Sequence, residues 1–136
     1  MLINLTNHPA KQWPEAQLQA ASCWGEVVDM AFPVVNPDST EEELEALSVQ
    51  YVDRITALNP AAVLCQGEWI MTYMIVSLLL QRGIPVYAAC SQRIAREEFL
   101  EDGTKQKIVL YKFECFRKFR LPEGIMFSEN TLEQGE

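Results

Sequence analysis

Three short stretches hold side chains that could do chemistry. Thr6-Asn7-His8 puts a hydroxyl, an amide and the only imidazole of the chain in consecutive positions. Imidazole is the side chain that takes and gives protons near neutral pH, and the three groups together suit contacts to a phosphate, a ribose or a base. The competing reading is a polar turn in which Asn7 bonds its own backbone. Ser91-Gln92-Arg93, with Arg96 close behind, offers a hydroxyl and two guanidinium groups, natural partners for a phosphodiester. The competing reading is surface arginines paired with Glu97 or Glu98. Gln66-Gly67-Glu68 stands just before a long apolar run. Such a turn can aim backbone N–H groups at an anion, with Gly67 allowing close approach. Alternatively Gly67 only makes the turn and Glu68 only complements the helix dipole. Trp13 and Trp24 are candidates for stacking on a base, Trp24 being equally at home in a core.

The elements that position these residues follow from periodicity and punctuation. Met1–Leu5 reads as a strand that ends at Thr6-Asn7-His8-Pro9. Pro14 suits the first position of a helix reaching Trp24, with Leu18, Ala21 and Trp24 on one face and Gly25 closing it. Glu26–Phe32 is a second strand, stopped by Pro33. Thr40 and Glu43 have capping-box spacing, and the acidic run 41–45 begins a helix whose buried stripe is Leu44, Leu47, Tyr51, Ile55 and Leu58. Asn59-Pro60 ends it. Ala62–Cys65, the apolar helix Trp69–Gln81 and Pro85–Cys90 then form a strand-helix-strand unit. Arg96–Leu100 and Lys105–Phe119 are expected to be the arms of an antiparallel hairpin around an Asp-Gly turn. In its second arm Val109, Tyr111, Phe113, Cys115 and Phe119 share the half-buried face. The expected class is α/β, a Rossmann-like three-layer sandwich. Its four mainly parallel strands are extended by an antiparallel C-terminal β-hairpin over residues 1–120, with 121–136 a loosely docked tail. The carboxyl ends of the parallel strands are where such sheets place ligands.

Composition limits the partners. A net charge of −8 argues against duplex nucleic acid, which calls for a basic face. The charge is uneven. Residues 1–50 carry eight acids against one base, Lys11, whereas residues 93–120 carry eight bases against five acids. A small anionic ligand near the second region is compatible with that. No apolar run reaches the length of a membrane span, and no basic segment precedes an apolar run at the N-terminus. Cys23, Cys65, Cys90 and Cys115 are scattered without a CxxC pair, as expected of free thiols in a reducing, cytoplasmic compartment. That spacing and a single histidine argue against zinc, and no metal or other cofactor is expected. Because the helix 69–81 is apolar nearly all round, a two-fold homodimer through it is expected.

The strand LINLTNHP with its polar end, and VLCQGEWIMTYMIVSLLL leading through a glycine turn into an apolar helix, resemble the CARF (CRISPR-associated Rossmann fold) domains of type III CRISPR systems. The likeness is one of layout over about residues 1–119. Many such domains carry a Gly-Gly-Thr turn with a basic residue where this chain has Gln66-Gly67-Glu68. The resemblance implies a dimer that binds a cyclic oligoadenylate across its two-fold axis. For a small chain with no fused effector it implies a ring nuclease that linearises this messenger without metal and switches off the CRISPR response. In that reading Thr6, Asn7 and His8 hold or activate ribose and phosphate. Gln66, Gly67, Glu68 and Thr72 frame a second wall, and Ser91 and Arg93 neutralise the scissile group. Two other readings stay open: a non-catalytic sensor or sponge for the same nucleotide, and a small nucleoside or metabolite enzyme using Glu68.

Overall fold

The computed structural model describes residues 1–122. They form five strands and three α-helices: β1 (Leu2–Thr6), α1 (Glu15–Ala21), β2 (Val27–Ala31), α2 (Glu41–Ala57), β3 (Ala62–Cys65), α3 (Trp69–Gln81), β4 (Val86–Phe99) and β5 (Lys105–Lys118). The single sheet has the order β2-β1-β3-β4-β5, parallel except for the antiparallel pair β4-β5. This is the expected α/β architecture. From β1 the chain winds first to β2 on one side and then to β3 on the other, so the order reverses between β1 and β3.

Both faces of the central strands are covered, which is why they read as continuous apolar runs. Ile3, Leu5, Val63, Cys65 and Val86 point to the face covered by α2 and α3, where they meet Val52, Ile55, Met71, Ile75, Val76 and Leu79. Leu2, Ala62 and Leu64 point to the other face, toward Trp13, Ala21, Trp24, Tyr87 and Phe116. The caps follow the local sequence. Thr40 Oγ1 accepts the N–H of Glu43 at 3.1 Å, and Glu41, Glu42 and Glu43 occupy the positive end of α2.

Three expectations are corrected. The helix after Pro14 is split, α1 passing into a 3-10 turn at Ser22–Trp24; Gln17 and Ala21 are its buried residues while Leu18 is exposed. On α2 the buried line is Ser48, Val52 and Ile55, rotated from the expected stripe; Leu44, Leu47 and Tyr51 flank it and Leu58 is exposed. The cause is that α2 packs on α3 as well as on the sheet. The same packing covers a second side of α3, leaving its exposed apolar side chains in the first turns: Trp69 (88 % exposed), Ile70 and Tyr73.

The largest correction concerns the hairpin. Its first arm is no separate strand, because β4 runs without a break from the parallel sheet into the hairpin, fourteen residues in all. Ser91, Gln92 and Arg93 therefore lie within a strand and not in a loop after one. The register slips between Cys90 and Ser91, so that Cys90 faces Cys115 while Ser91 faces Phe113, and Glu114 is the extra residue of a β-bulge. A one-residue slip exchanges the faces of a strand. Phe113 and Phe116 thus lie on the same side, their rings 5.0 Å apart, whereas Phe119 joins the core on the α3 side. Beyond the bulge the two strands form an arm with most residues exposed on both faces. It closes at the expected Asp-Gly turn. Gly103 adopts φ +83°, and Asp102 Oδ1 accepts from the N–H and hydroxyl of Thr104 at 2.9 and 2.6 Å. Those bonds hold the Asp102 carboxyl below its ordinary range. Of the expected tail, residues 123–136 lie outside the described residues. No helix of the described residues is long and apolar enough to cross a membrane, and no cluster of three or more His, Cys, Asp or Glu that could hold a metal occurs among them.

Candidate functional site

A cleft of about 510 Å³ opens at the carboxyl ends of β1 and β3, on the face covered by α1. Its position is the switch point of the sheet, where two neighbouring connections leave in opposite directions. Thr6, His8, Trp13, Gln66, Ser91 and Tyr111 are among its lining residues. Sequence reasoning named the first five, from four separate parts of the chain.

The β1 wall is fixed by a hydrogen-bond network around Asn4. This side chain is 1 % exposed and stands opposite Asp29 in the β1-β2 register. Its Nδ2 donates to Asp29 Oδ1 and to the His8 carbonyl, both at 2.8 Å. The Thr6 hydroxyl donates to Asn4 Oδ1 at 2.8 Å and accepts the His8 N–H at 3.1 Å. Trp13 Nε1–H reaches the same His8 carbonyl at 3.0 Å, and the Ala10 N–H reaches Asp29 Oδ1 at 3.0 Å. His8 is therefore held through its backbone by three side chains while its residue is exposed at the cleft. No buried side-chain polar atom of this network lacks a hydrogen-bond partner, which rigidifies such a cluster. Trp13, expected to stack on a ligand, is 7 % exposed and packs on Phe116, so it forms the floor and steadies the loop.

The far wall is held by Gln66. Its Oε1 accepts the Ala89 N–H at 2.8 Å and its Nε2 donates to the Ala89 carbonyl at 3.3 Å. The side chain thus continues the β3-β4 ladder beyond the last backbone pair, Leu64 with Tyr87. Ser91 follows two residues later on the same face, with Tyr111 across the arm.

The other candidates lie elsewhere. Asn7 is exposed and borders a separate shallow depression with Pro9 and Asp29. Gly67 is tied to packing: a Cβ there would run into the ring of Phe32. Glu68 is the N-cap of α3, its carboxylate accepting the N–H groups of Ile70 and Met71 at 3.0 and 2.8 Å. The anion position at this helix start is occupied by the chain's own carboxylate, so the turn grips no phosphate in this conformation. Thr72 faces an apolar cavity of about 490 Å³ on the α3 side of the sheet, shared with Trp69, Tyr73 and Phe119, and its buried hydroxyl has no hydrogen-bond partner. Arg96 pairs with Glu98 at 3.1 Å, as the alternative reading held. Arg93 sits on the arm one alternation beyond Ser91, on the cleft side and opposite Tyr111. No lysine or arginine is among the described residues lining the cleft.

Sequence reasoning missed Asn4, Asp29 and Tyr111. Asn4 carried a signal, being the one amide inside an otherwise apolar strand. Asp29 and Tyr111 carried none, since only strand register brings them in.

A family model described as Uncharacterized protein MJ1673 family matches residues 1–117. The chain belongs to that family. No curated protein matches it. The span matched by the MJ1673 family takes in the whole lining of the cleft, from Thr6 to Tyr111.

Proposed function

We propose that this MJ1673-family protein binds a cyclic oligoadenylate across a homodimer and cleaves it without metal, as a ring nuclease that ends a type III CRISPR response. The observation that carries the reading is the convergence of Thr6, His8, Gln66 and Ser91 on one cleft at the switch point. A cleft of this volume is of small-molecule size. A ring of several nucleotides spans more than one, so two copies must share it. The exposed Trp69, Ile70 and Tyr73 of α3 offer the apolar patch through which they would pair.

In the proposed reaction a ribose 2′-oxygen attacks its own phosphorus as the bond to the 5′-oxygen breaks. The products are a 2′,3′-cyclic phosphate and a free 5′-hydroxyl. His8 takes the 2′ proton, water protonates the departing 5′-oxygen, the Ser91 hydroxyl holds a phosphate oxygen, and Arg93 of the arm offsets the charge, while Thr6 positions His8. Orientation of the 2′-oxygen in line with the leaving group supplies most of the rate.

Incubation with cyclic tetra-adenylate and chromatography of the products is the test. Linear products ending in 2′,3′-cyclic phosphate are expected, with a loss of about 100-fold or more in His8→Ala and retained binding. The absence of both binding and cleavage would overturn the proposal. A second reading, a non-catalytic sensor of the same nucleotide, is favoured by the absence of basic residues from the cleft lining. Tight retention without product over hours selects it. The metabolite-enzyme reading loses its proposed acid, because Glu68 is engaged in capping α3.

A further inference from the structure

Of the four cysteines, two face each other across the sheet. Cys90 and Cys115 are direct partners in the antiparallel ladder at the foot of the arm, on the last rung before the bulge. Directly opposed residues in such a ladder have Cα atoms about 4.5–5.5 Å apart, within the range of about 4.4–6.8 Å that a disulfide spans. Both are free and half-buried, so a small oxidant can reach them. Arg117 lies two residues along the same strand, and the Cys115 side chain together with the Cys90 sulfur holds its guanidinium above its ordinary value.

We infer that Cys90 and Cys115 form a reversible thiol-disulfide site that staples the arm to the parallel sheet. With oxidised glutathione as oxidant, the Cys115 thiolate attacks one sulfur of the tripeptide disulfide and releases one glutathione thiolate. The Cys90 thiolate then attacks the Cys115 sulfur and releases the second. One protein disulfide forms, one glutathione disulfide is reduced to two glutathione thiols, and the two protein thiol protons go to them. The staple acts next to the cleft, because Ser91 follows Cys90 and Ala89 before it is bound by Gln66. It is independent of what the cleft binds.

The other two cysteines serve as controls. Burial pushes the Cys65 thiol up to about 12, which leaves it unreactive at neutral pH. Cys23 is exposed and stands outside the sheet in the 3-10 turn, so it is replaced by serine for the test. The Cys23→Ser chain is treated with oxidised glutathione, alkylated, and mapped by peptide mass. The expected result is a mass lower by two hydrogens, a Cys90–Cys115 linked peptide, protection of both from alkylation, and a melting temperature higher by about 5 °C. In Cys90→Ser the same treatment leaves a stable glutathione adduct on Cys115. Finding Cys90 and Cys115 still open to alkylation, or carrying only glutathione adducts in the chain that has both, would overturn the inference.

Discussion

On one side of the cleft Thr6 ends a central strand whose five residues are all buried, and His8 follows two residues later. There Asn4, Thr6 and Trp13 hold the backbone of His8 through side-chain hydrogen bonds. On the other side Ser91 and Tyr111 stand where β4 and β5 leave the sheet as a two-stranded arm. Tyr111 is 71 % exposed, and so is Phe99 near the tip. The first wall is fixed by buried polar groups whose loss leaves partners stranded. Past the Gln66 bonds to Ala89, the second rests chiefly on the β4-β5 backbone ladder, and an isolated ladder of two strands is marginal in water. A cleft with one rigid and one compliant wall can hold its imidazole in place while adapting its rim to a ligand.

Four substitutions test the contrast. Asn4→Ala breaks the rigid wall most directly. It removes the Asn4 bonds to Asp29, to the buried Thr6 hydroxyl and to the His8 carbonyl, and should cost about 3 kcal/mol in urea unfolding. A cost below about 1 kcal/mol would show the network to be dispensable. Gly67→Ala pushes a methyl into Phe32 and should cost about 2 kcal/mol by overpacking, with a crystal structure showing the ring displaced.

The third acts through pH. The Cys65 thiol ordinarily titrates at 9.0 and burial moves it to about 12. The folded chain thus keeps a proton that the unfolded chain releases. Its effect on stability is nil below pH 9, and stability falls as pH rises from 9 toward 12. Cys65→Ala should therefore flatten the alkaline decline by up to about 1.4 kcal/mol per pH unit, read from unfolding at pH 8, 9 and 10. Parallel declines in the two chains would refute the burial argument. Smallest is Tyr111→Ser on the compliant wall, expected to shift stability by no more than about 0.5 kcal/mol. A cost of 2 kcal/mol there would erase the distinction between the walls.

Much of this was legible in one dimension. Paired apolar runs and a helix between them gave the strand-helix-strand unit, the Asp-Gly pair gave the turn of the arm, and Thr40 with Glu43 gave the start of α2. The polar ends of β1 and β3 were recognisable as cleft-forming because strand ends in open α/β sheets are where polar side chains can face a ligand. Two errors had a common origin. A polar stretch reads as a loop, which puts Ser91 and Arg93 outside a strand, and regular alternation groups Phe113 with Cys115, since residues two apart share a face. Both assumptions fail on an arm that is wet on both sides and carries a bulge.

By itself the amino-acid order determined which segments are strands and helices, because burial periodicity and capping act over a few residues. Three things depended on tertiary structure. Register set Asn4 against Asp29 and Cys90 against Cys115. The bulge at Glu114 chose which aromatic rings face α1. The Glu68 carboxylate, readable either as a ligand group or as a cap, closed on the N–H groups of its own helix. Each is a choice between partners distant in sequence or between equally available conformations, and it is the packing of the whole sheet that lowers one of them in free energy.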